Sequence, residues 1–162
     1  MKTIEIYTDG ACRGNPGPGG YACVLRYLNE KGDLYTKELS AGYGLTTNNR
    51  MELLAAIIGL EALKEQCEVR LYSDSRYLIN AYENGWVEKW KAFGWHRDVK
   101  RKEPVKNKDL WQRLDALIAR HEVSFIWVKG HDDNELNNRC DQLAVEAALN
   151  TESHIAQSFM EE

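Results

Sequence analysis

Four acidic residues lie at the boundaries of different predicted elements, and their types and positions suit metal chemistry. Asp9 ends one strand-like run and Asp74 follows another, whereas Glu52 lies in the first turn of an apolar helix and Asp141 lies on a later helix. Four carboxylates in one pocket would repel one another and partly protonate. A divalent cation removes this conflict, and hard oxygen ligands favour Mg²⁺ or Mn²⁺. The pattern therefore indicates metal-assisted phosphoryl transfer.

Each of these acids also has an ordinary structural interpretation. An aspartate at the end of a strand is frequently a turn former or a helix cap. Asn49 and Glu52 have the spacing of an N-cap and the third helical residue, so Glu52 could instead complete a capping box. Taken singly, the acids leave both interpretations open.

The hydrophobic pattern predicts an α/β fold with a mixed five-stranded sheet flanked by helices. The first three strand-like runs indicate an antiparallel meander. The later alternation of strand and helix indicates parallel pairing with the first strand. The predicted strands are 3–8, 21–27, 34–40, 69–73 and 124–128, and the predicted helices are 48–66, 75–84, 86–91, 108–121 and 134–150. Residues 14–20, rich in glycine and proline, are predicted to form a long turn.

This arrangement predicts how the acids are positioned. Asp9 and Asp74 end strands that are predicted to be parallel neighbours, and sites in open α/β sheets lie beyond the carboxyl ends of such strands. The helix row that contains Glu52 continues with the small residues Ala55 and Gly59. Small residues let a helix backbone approach a sheet closely, so we expect Glu52 to lie deep in the fold.

The charge of the chain is unevenly distributed. The net charge is −4, yet residues 86–108 contain eight basic and three acidic residues, which gives this segment +5 and leaves −9 for the rest. Trp86, Trp90 and Trp95 lie between these charges. Basic side chains meet phosphates and aromatic faces pack on sugars or bases, so the segment is predicted to bind nucleic acid. The alternative is a solvated helix whose tryptophans belong to the core.

Length and cysteine spacing predict the organisation and location of the chain. At 162 residues, one domain is expected over residues 1–150, and the polar segment 151–162 is predicted to be a flexible tail. The N-terminus is strand-like rather than a targeting signal, and the longest apolar run, about eight residues, is too short to cross a bilayer. The four cysteines contain no Cys-x-x-Cys pair. We expect a cytoplasmic protein with reduced thiols, no membrane association and no obligate protein partner, monomeric by default.

The motifs around the four acids, taken in chain order, resemble those of the bacterial type 1 ribonuclease H family. They are YTDGAC at 7–12, GNPGPGG at 14–20, TTNNRME at 46–52, YSDS at 72–75, VKGH at 128–131 and NRCDQLA at 138–144. The match covers roughly residues 4–149. The basic segment 86–108 resembles the substrate-binding protrusion of that family.

The resemblance implies a ribonuclease H-like fold and an endonuclease that hydrolyses the RNA strand of RNA–DNA hybrids without sequence preference. The products would carry 5′-phosphate and 3′-hydroxyl ends. The catalytic residues would be Asp9, Glu52, Asp74, His131 and Asp141. The four acids would hold two Mg²⁺ ions, with Mn²⁺ as a substitute and Asp9 as the bridging ligand. His131 would assist proton movement or product release.

The resemblance also implies which residues bind the substrate. The residues expected along the minor groove, where the 2′-hydroxyl distinguishes RNA from DNA, are Cys12, Asn15, Asn48 and Asn49. Thr47 and Asn107 would grip a phosphate of the DNA strand, and Trp86 would pack against that strand. The further contacts predicted from the basic segment are Lys89, Trp90 and Lys91.

Two positions depart from the family pattern. Arg76 stands where the bacterial pattern often has glutamine, so it either adds a phosphate contact or disturbs a hydrogen bond to the RNA strand. His131 is followed by Asp132, Asp133 and Glu135, which are hypothesised to favour the imidazolium and raise the pKa of this histidine.

Three other functions compete with hybrid cleavage. A transposase, integrase or resolvase core would share the fold but is expected to need further domains. A hybrid-binding module without catalysis would gain nothing from acids near phosphates. A simple Ca²⁺-binding domain is disfavoured because the acids lack EF-hand spacing.

Overall fold

The computed structural model describes residues 1–129, 134–150 and 158–161, and these ranges contain five strands and five helices. The strands are β1 (Lys2–Cys12), β2 (Gly17–Leu28), β3 (Leu34–Thr46), β4 (Cys67–Ser73) and β5 (Glu122–Trp127). The helices are α1 (Asn48–Glu61), α2 (Arg76–Glu83), α3 (Trp86–Ala92), α4 (Lys108–Ile118) and α5 (Glu135–Leu149). Among these described helices, none combines the length and the apolar character needed to cross a membrane.

The strands form one mixed sheet in the order β3-β2-β1-β4-β5, which confirms the predicted fold class. Strands β1, β2 and β3 are the antiparallel meander, whereas β4 is parallel to β1 and β5 is parallel to β4. Tyr7 of β1 pairs with Tyr72 of β4. Asp9 and Asp74 each follow this pair by two residues, so the parallel register brings both acids to the same edge of the sheet.

Strand β1 lies between α1 and α5. On one face, a Cβ added at Gly59 of α1 would lie only 2.8 Å from Cγ2 of Ile6. On the other face, Tyr7 packs with Cys140 of α5. Because successive side chains of a strand point to opposite faces of the sheet, β1 contacts α1 on one face and α5 on the other. These are the two helices that carry the remaining acids.

Helix α1 is buried deeply against the sheet, as its row of small residues predicts. Ala55 is fully buried and Glu52 is only 4% exposed. The N-cap is Thr47, whose hydroxyl accepts a hydrogen bond from the Arg50 amide. The capping-box interpretation is therefore wrong, because Asn49 already lies inside the helix. The helix ends at Glu61, five residues earlier than the pattern predicts.

The glycine-rich turn is shorter than predicted, because β2 already begins at Gly17. A Cβ at Gly20 would lie 2.5 Å from the carbonyl oxygen of Ala144 in α5. A Cβ at Gly19 would lie 2.9 Å from the carbonyl oxygen of Ala11 in β1. These glycines permit close packing of strand against helix and strand, rather than a reversal of the chain.

Ser158–Glu161, which belong to the segment predicted to be a flexible tail, pack against β3 and α1. The ring of Phe159 stacks on Tyr43 with 4.7 Å between centroids. The Phe159 carbonyl accepts hydrogen bonds from Thr46 Oγ1 and Arg50 Nε, both at 2.9 Å. The stacked ring of Phe159 and the two hydrogen bonds to its carbonyl thus hold this segment beside the start of α1.

Candidate active site

Three of the four acids converge at the edge of the sheet where β1 and β4 end. Asp9, Glu52 and Asp74 each offer a carboxylate oxygen, and these atoms all lie within 4.8 Å of one another. Asp9 is 3% exposed, and Asp74 is half-buried. Asp141 lies outside this group of three but lines the same cavity, whose volume is about 400 Å³. The fold thus brings all four acids to one cavity.

Gly10 links β1 to α1 at this edge, and the sequence analysis did not single it out. Its N–H donates to Asp9 Oδ1 at 2.9 Å and to Glu52 Oε1 at 3.1 Å. A Cβ at this position would lie 2.6 Å from the backbone nitrogen of Glu52. The available signal is the glycine within a strand, which marks close approach of another backbone.

Burial and neighbouring carboxylates raise the pKa of two of the acids, Asp9 and Glu52. Burial, followed by the charges of Asp74 and Asp141, raises the pKa of Asp9 to about 8. Burial, followed by the charges of Asp9 and Asp74, raises the pKa of Glu52 well above its usual value. The Gly10 N–H opposes both shifts because it stabilises the charged carboxylates. In the absence of a cation the cluster therefore retains protons at neutral pH.

The Glu52 carboxylate provides the test of whether a metal fits this site. Its Oε2 is buried and lacks a hydrogen-bond partner among the described residues. Leaving a buried carboxylate oxygen without a partner is costly, and a hard divalent cation would satisfy it. The convergent ligands are carboxylates only, a donor set that suits Mg²⁺ or Mn²⁺ rather than softer metals.

A second cavity, of about 420 Å³, lies next to the acidic one, and Asn49 lines both. Its walls include Asn15, Thr47 and Asn107, three of the residues predicted to bind substrate. Asn15 Oδ1 accepts a hydrogen bond from the Asn48 amide at 3.1 Å. This bond fixes the glycine-rich turn to the first residue of α1, so two of the predicted minor-groove contacts are held together.

Asn107 is held in this second cavity by Arg50 and Tyr77, neither of which was predicted as a site residue. Asn107 is 3% exposed, accepts a hydrogen bond from Arg50 Nη1 at 3.2 Å and donates one to the Tyr77 hydroxyl at 3.1 Å. Its φ of +59° is left-handed, a conformation that asparagine tolerates. Its side chain makes no cap bond to α4 and is instead fixed by these two partners.

Replacing Arg50 by methionine is expected to lower the free energy of unfolding by roughly 2–4 kcal/mol. The guanidinium is 2% exposed and forms a bidentate pair with Asp109 at 2.8 and 2.9 Å, besides its bonds to Asn107 and Phe159. Methionine fills similar volume but leaves those acceptors without their donor. Urea unfolding of parent and variant at pH 7 measures the difference.

The surface pair of Arg113 with Glu61 supplies the control. It is also bidentate, at 2.6 and 2.9 Å, but its partners are 42% and 37% exposed. Arg113→Met should cost less than about 1 kcal/mol. Hydrogen bonds from Arg50 lower the pKa of Asp109. The contribution of the Arg50–Asp109 pair to the free energy of unfolding is therefore present above pH 4 and is lost as the pH falls further. Equal losses of unfolding free energy in Arg50→Met and Arg113→Met would contradict the stabilising role assigned to Arg50. A difference in unfolding free energy between parent and Arg50→Met that does not narrow in acid would also contradict it.

Of the other predicted site residues, Cys12 and Arg76 lie within the described part of the chain. Cys12 is half-buried, its thiol donates to the Gly14 carbonyl at 2.9 Å, and burial raises its pKa. The Arg76 guanidinium lies 3.9 Å from the centroid of the Trp127 ring and lines the acidic cavity. His131 lies outside the described residues, together with its two acidic neighbours in the chain.

The basic segment 86–108 includes both exposed and packed side chains. Trp86 is 41% exposed and Lys89 is exposed. Trp90 is partly buried and packs edge-on against Trp111, with 5.3 Å between centroids. Lys91 pairs with an aspartate of α4 at 3.1 Å. These four predicted contacts therefore differ in how accessible they are to a ligand.

The sequence matches the model of the RNase H family over residues 1–149. Among curated proteins, a ribonuclease H from Desulforamulus reducens is 60% identical over 148 residues, which cover 91% of this chain and 89% of that protein. A ribonuclease H from Syntrophus aciditrophicus is 58% identical over 148 residues, which cover 91% of this chain and 82% of that protein.

Solved structures agree with this match. LC9-RNase H1, described as a type 1 RNase H with the type 2 active-site motif, superposes with a TM-score of 0.83 at 30% identity over 93% of this chain and 74% of that chain. LC11-RNase H1, solved in complex with an RNA/DNA hybrid, superposes with a TM-score of 0.62 at 30% identity over 91% of this chain and 98% of that chain.

Proposed function

Because this chain belongs to the RNase H family, we propose that its acidic cavity is where it hydrolyses the RNA strand of RNA–DNA hybrids. The enzyme is a metal-dependent endoribonuclease that acts without sequence preference and leaves 5′-phosphate and 3′-hydroxyl ends. The observation that carries the assignment of the cavity is Glu52 Oε2, a buried oxygen without a hydrogen-bond partner in the described structure, inside a group of three carboxylates. Such an oxygen is explained by a cation.

Asp9, Glu52, Asp74 and Asp141 would hold two Mg²⁺ ions, for which Mn²⁺ can substitute. When bound, the ions lower the pKa of the attacking water and neutralise charge on the leaving 3′ oxygen. The bridging position assigned to Asp9 is supported by the charges of Asp74 and Asp141 that act on it. The Gly10 N–H orients two of the carboxylates beforehand, which reduces the reorganisation that catalysis requires.

The second cavity is assigned to a phosphate of the DNA strand, with Thr47 and Asn107 as its ligands. Thr47 offers a hydroxyl and Asn107 an amide, and both groups recognise phosphate without reading base sequence. The minor-groove contacts assigned to Cys12, Asn15, Asn48 and Asn49 are supported by the positions of three of them: Asn49 lines both cavities, Asn15 lines the second cavity and Asn48 lines the acidic one. Reading the 2′-hydroxyl on one side and a DNA phosphate on the other would select a hybrid over either pure duplex.

Several parts of the proposal rest mainly on the sequence. His131 is assigned the movement of a proton or the release of product, because VKGH at 128–131 matches the family motif. A single catalytic domain over residues 1–150 is supported by the one continuous sheet. A cytoplasmic location is supported by four cysteines that are all free thiols. The proposal takes the protein as a monomer without an obligate partner.

A labelled hybrid tests this function directly. With Mg²⁺ present, the enzyme should cut a hybrid of uniform length when the RNA strand carries the label, and should leave a labelled DNA strand whole. Single-stranded RNA and duplex DNA of the same sequence are the controls, and excess EDTA should stop the reaction. Binding without cutting would favour the module without catalysis, whereas cutting of the DNA strand would favour another nuclease of this fold.

A further inference from the structure

The segment Ser158–Glu161 forms one wall of the cavity assigned to the DNA-strand phosphate. Met160 and Glu161 line this cavity together with Thr47 and Asn107. The preceding Phe159 is fixed by its stacking on Tyr43 and by two hydrogen bonds to its carbonyl. The wall is therefore anchored by contacts outside the cavity, and its position does not depend on a ligand.

Glu161 is held at the first residue of α4. Its Oε2 accepts a hydrogen bond from the Lys108 amide at 3.0 Å. Asn107 precedes this helix but makes no side-chain cap bond, because its amide oxygen accepts from Arg50 instead. The carboxylate of Glu161 thus takes the position that a capping side chain would occupy, where helix N–H groups favour an anion.

The charges around the second cavity determine how strongly the Glu161 carboxylate opposes a phosphate that enters it. The basic residues that line the cavity are Arg50 and Lys106. The charge of Arg50 is already compensated by its bidentate pair with Asp109. Glu161 therefore offsets the remaining positive charge, that of Lys106. A phosphate that enters here meets the negative charge of Glu161 at the same cavity wall.

We propose that Glu161 sets the affinity of this cavity for the DNA strand by opposing its phosphate. This inference rests on the proposed function, since it takes the second cavity as the phosphate site. Glu161 acts on binding alone, because it does not line the acidic cavity where the RNA strand is cut. Its carboxylate weakens the substrate complex and the transition state equally, so it changes KM and the dissociation constant but not the rate of the cleavage step, kcat.

Glu161→Gln is the variant that isolates this charge. Glutamine keeps an oxygen acceptor for the Lys108 amide, so the segment is expected to stay docked, with an unchanged melting temperature. The variant should bind a hybrid roughly three- to tenfold more tightly than the parent, as expected for one charge acting across a solvated pocket. Fluorescence anisotropy without metal gives the dissociation constant, and steady-state cleavage with Mg²⁺ should give a lower KM at equal kcat.

Glu30→Gln is the matched control, because it makes the same change in net charge. Glu30 is exposed in the loop between β2 and β3, at the end of these strands opposite to Thr46 and Thr47. A second arm uses a hybrid whose DNA strand has neutral methylphosphonate linkages. Parent and Glu161→Gln should bind this hybrid equally, because no DNA phosphate charge remains to be opposed.

Each outcome separates the inference from the function on which it rests. If the parent cuts hybrids but the Glu161 and Glu30 variants bind alike, the inference fails and the function stands. If Glu161→Gln also gains affinity for the methylphosphonate hybrid, the charge acts elsewhere and the inference is overturned. If the parent neither binds nor cuts hybrids, the proposed function fails and takes the inference with it.

Discussion

Asp9→Asn is expected to slow hybrid cleavage by roughly a thousandfold or more while leaving the fold intact. Asparagine has nearly the same shape but offers one neutral oxygen in place of the charged carboxylate that is proposed to bind the ions. Initial rates at saturating hybrid and Mg²⁺ measure the loss, and hybrid affinity without metal should be unchanged within about twofold. The exposed Asp33→Asn, in the loop between β2 and β3, is the control and should keep the parental rate.

The same substitution should stabilise the metal-free protein at alkaline pH. Burial and the charges of Asp74 and Asp141 raise the pKa of Asp9 to about 8, whereas an unfolded aspartate titrates near pH 3.9. The folded state therefore binds the proton more tightly, and its stability falls as the pH rises from about 4 to about 8. With chelator at pH 8, the free energy of unfolding of Asp9→Asn should exceed that of the parent by an amount on the order of 2 kcal/mol.

The pH dependence is what distinguishes electrostatic strain from a general packing effect. The gain should shrink towards zero near pH 4, where Asp9 of the parent is protonated. Adding Mg²⁺ at pH 8 should stabilise the parent much more than the variant. A cleavage rate above a tenth of the parental value, or equal stability of both proteins at pH 8 without metal, would contradict the role assigned to Asp9.

The meeting of Asp9 with Asp74 is predictable from sequence because it follows from strand direction. A short apolar strand, a helix-compatible stretch and another strand favour parallel pairing, and parallel strands bring their carboxyl ends to one edge. The depth of Glu52 is also predictable, since Ala55 and Gly59 on the same helix row permit close approach to β1. These inferences use local patterns, which the residues themselves display.

What the sequence does not reveal depends on partners that are distant in the chain. In the sequence, Gly10 resembles any other glycine in a strand. In the structure, a Cβ added at Gly10 would lie 2.6 Å from the backbone nitrogen of Glu52 in α1. Arg50 resembles an exposed helix residue until Asp109 and Phe159, both more than fifty residues away, surround its guanidinium. The packing of Phe159 on Tyr43 is likewise not predictable from the sequence, because a short polar segment has no hydrophobic periodicity that indicates where it packs.

The tryptophans of the basic segment are ambiguous for a related reason. An aromatic residue between lysines is compatible with a core contact and with a nucleic-acid contact. The structure packs Trp90 against Trp111 and leaves Trp86 41% exposed, so the two positions differ although their sequence surroundings are alike. The binding capacity of this segment is therefore better tested through its charges than through its aromatic residues.

Replacing four basic residues of this segment by alanine is expected to weaken hybrid binding by roughly a hundredfold or more at 50 mM salt. The residues are Lys100, Arg101, Lys102 and Lys106. Their side chains form no salt bridge with any described residue, whereas Lys91 and Arg97 are already paired with acids. Each phosphate contact that is lost should reduce the log–log slope of affinity against salt by about 0.9, the value for B-form DNA. Anisotropy titrations across a salt series measure both quantities.

The matched control removes the same net charge from other surfaces, by alanine substitution at Lys31, Lys37, Lys64 and Arg120. These residues lie outside the segment 86–108 and line neither the acidic cavity nor the second cavity. If the segment binds through specific phosphate contacts, the control loses only the weak long-range attraction that salt screens, and its slope stays close to the parental one. Equal slopes for the two variants would mean that the whole molecule acts as a diffuse charge, and would remove the segment from the binding surface.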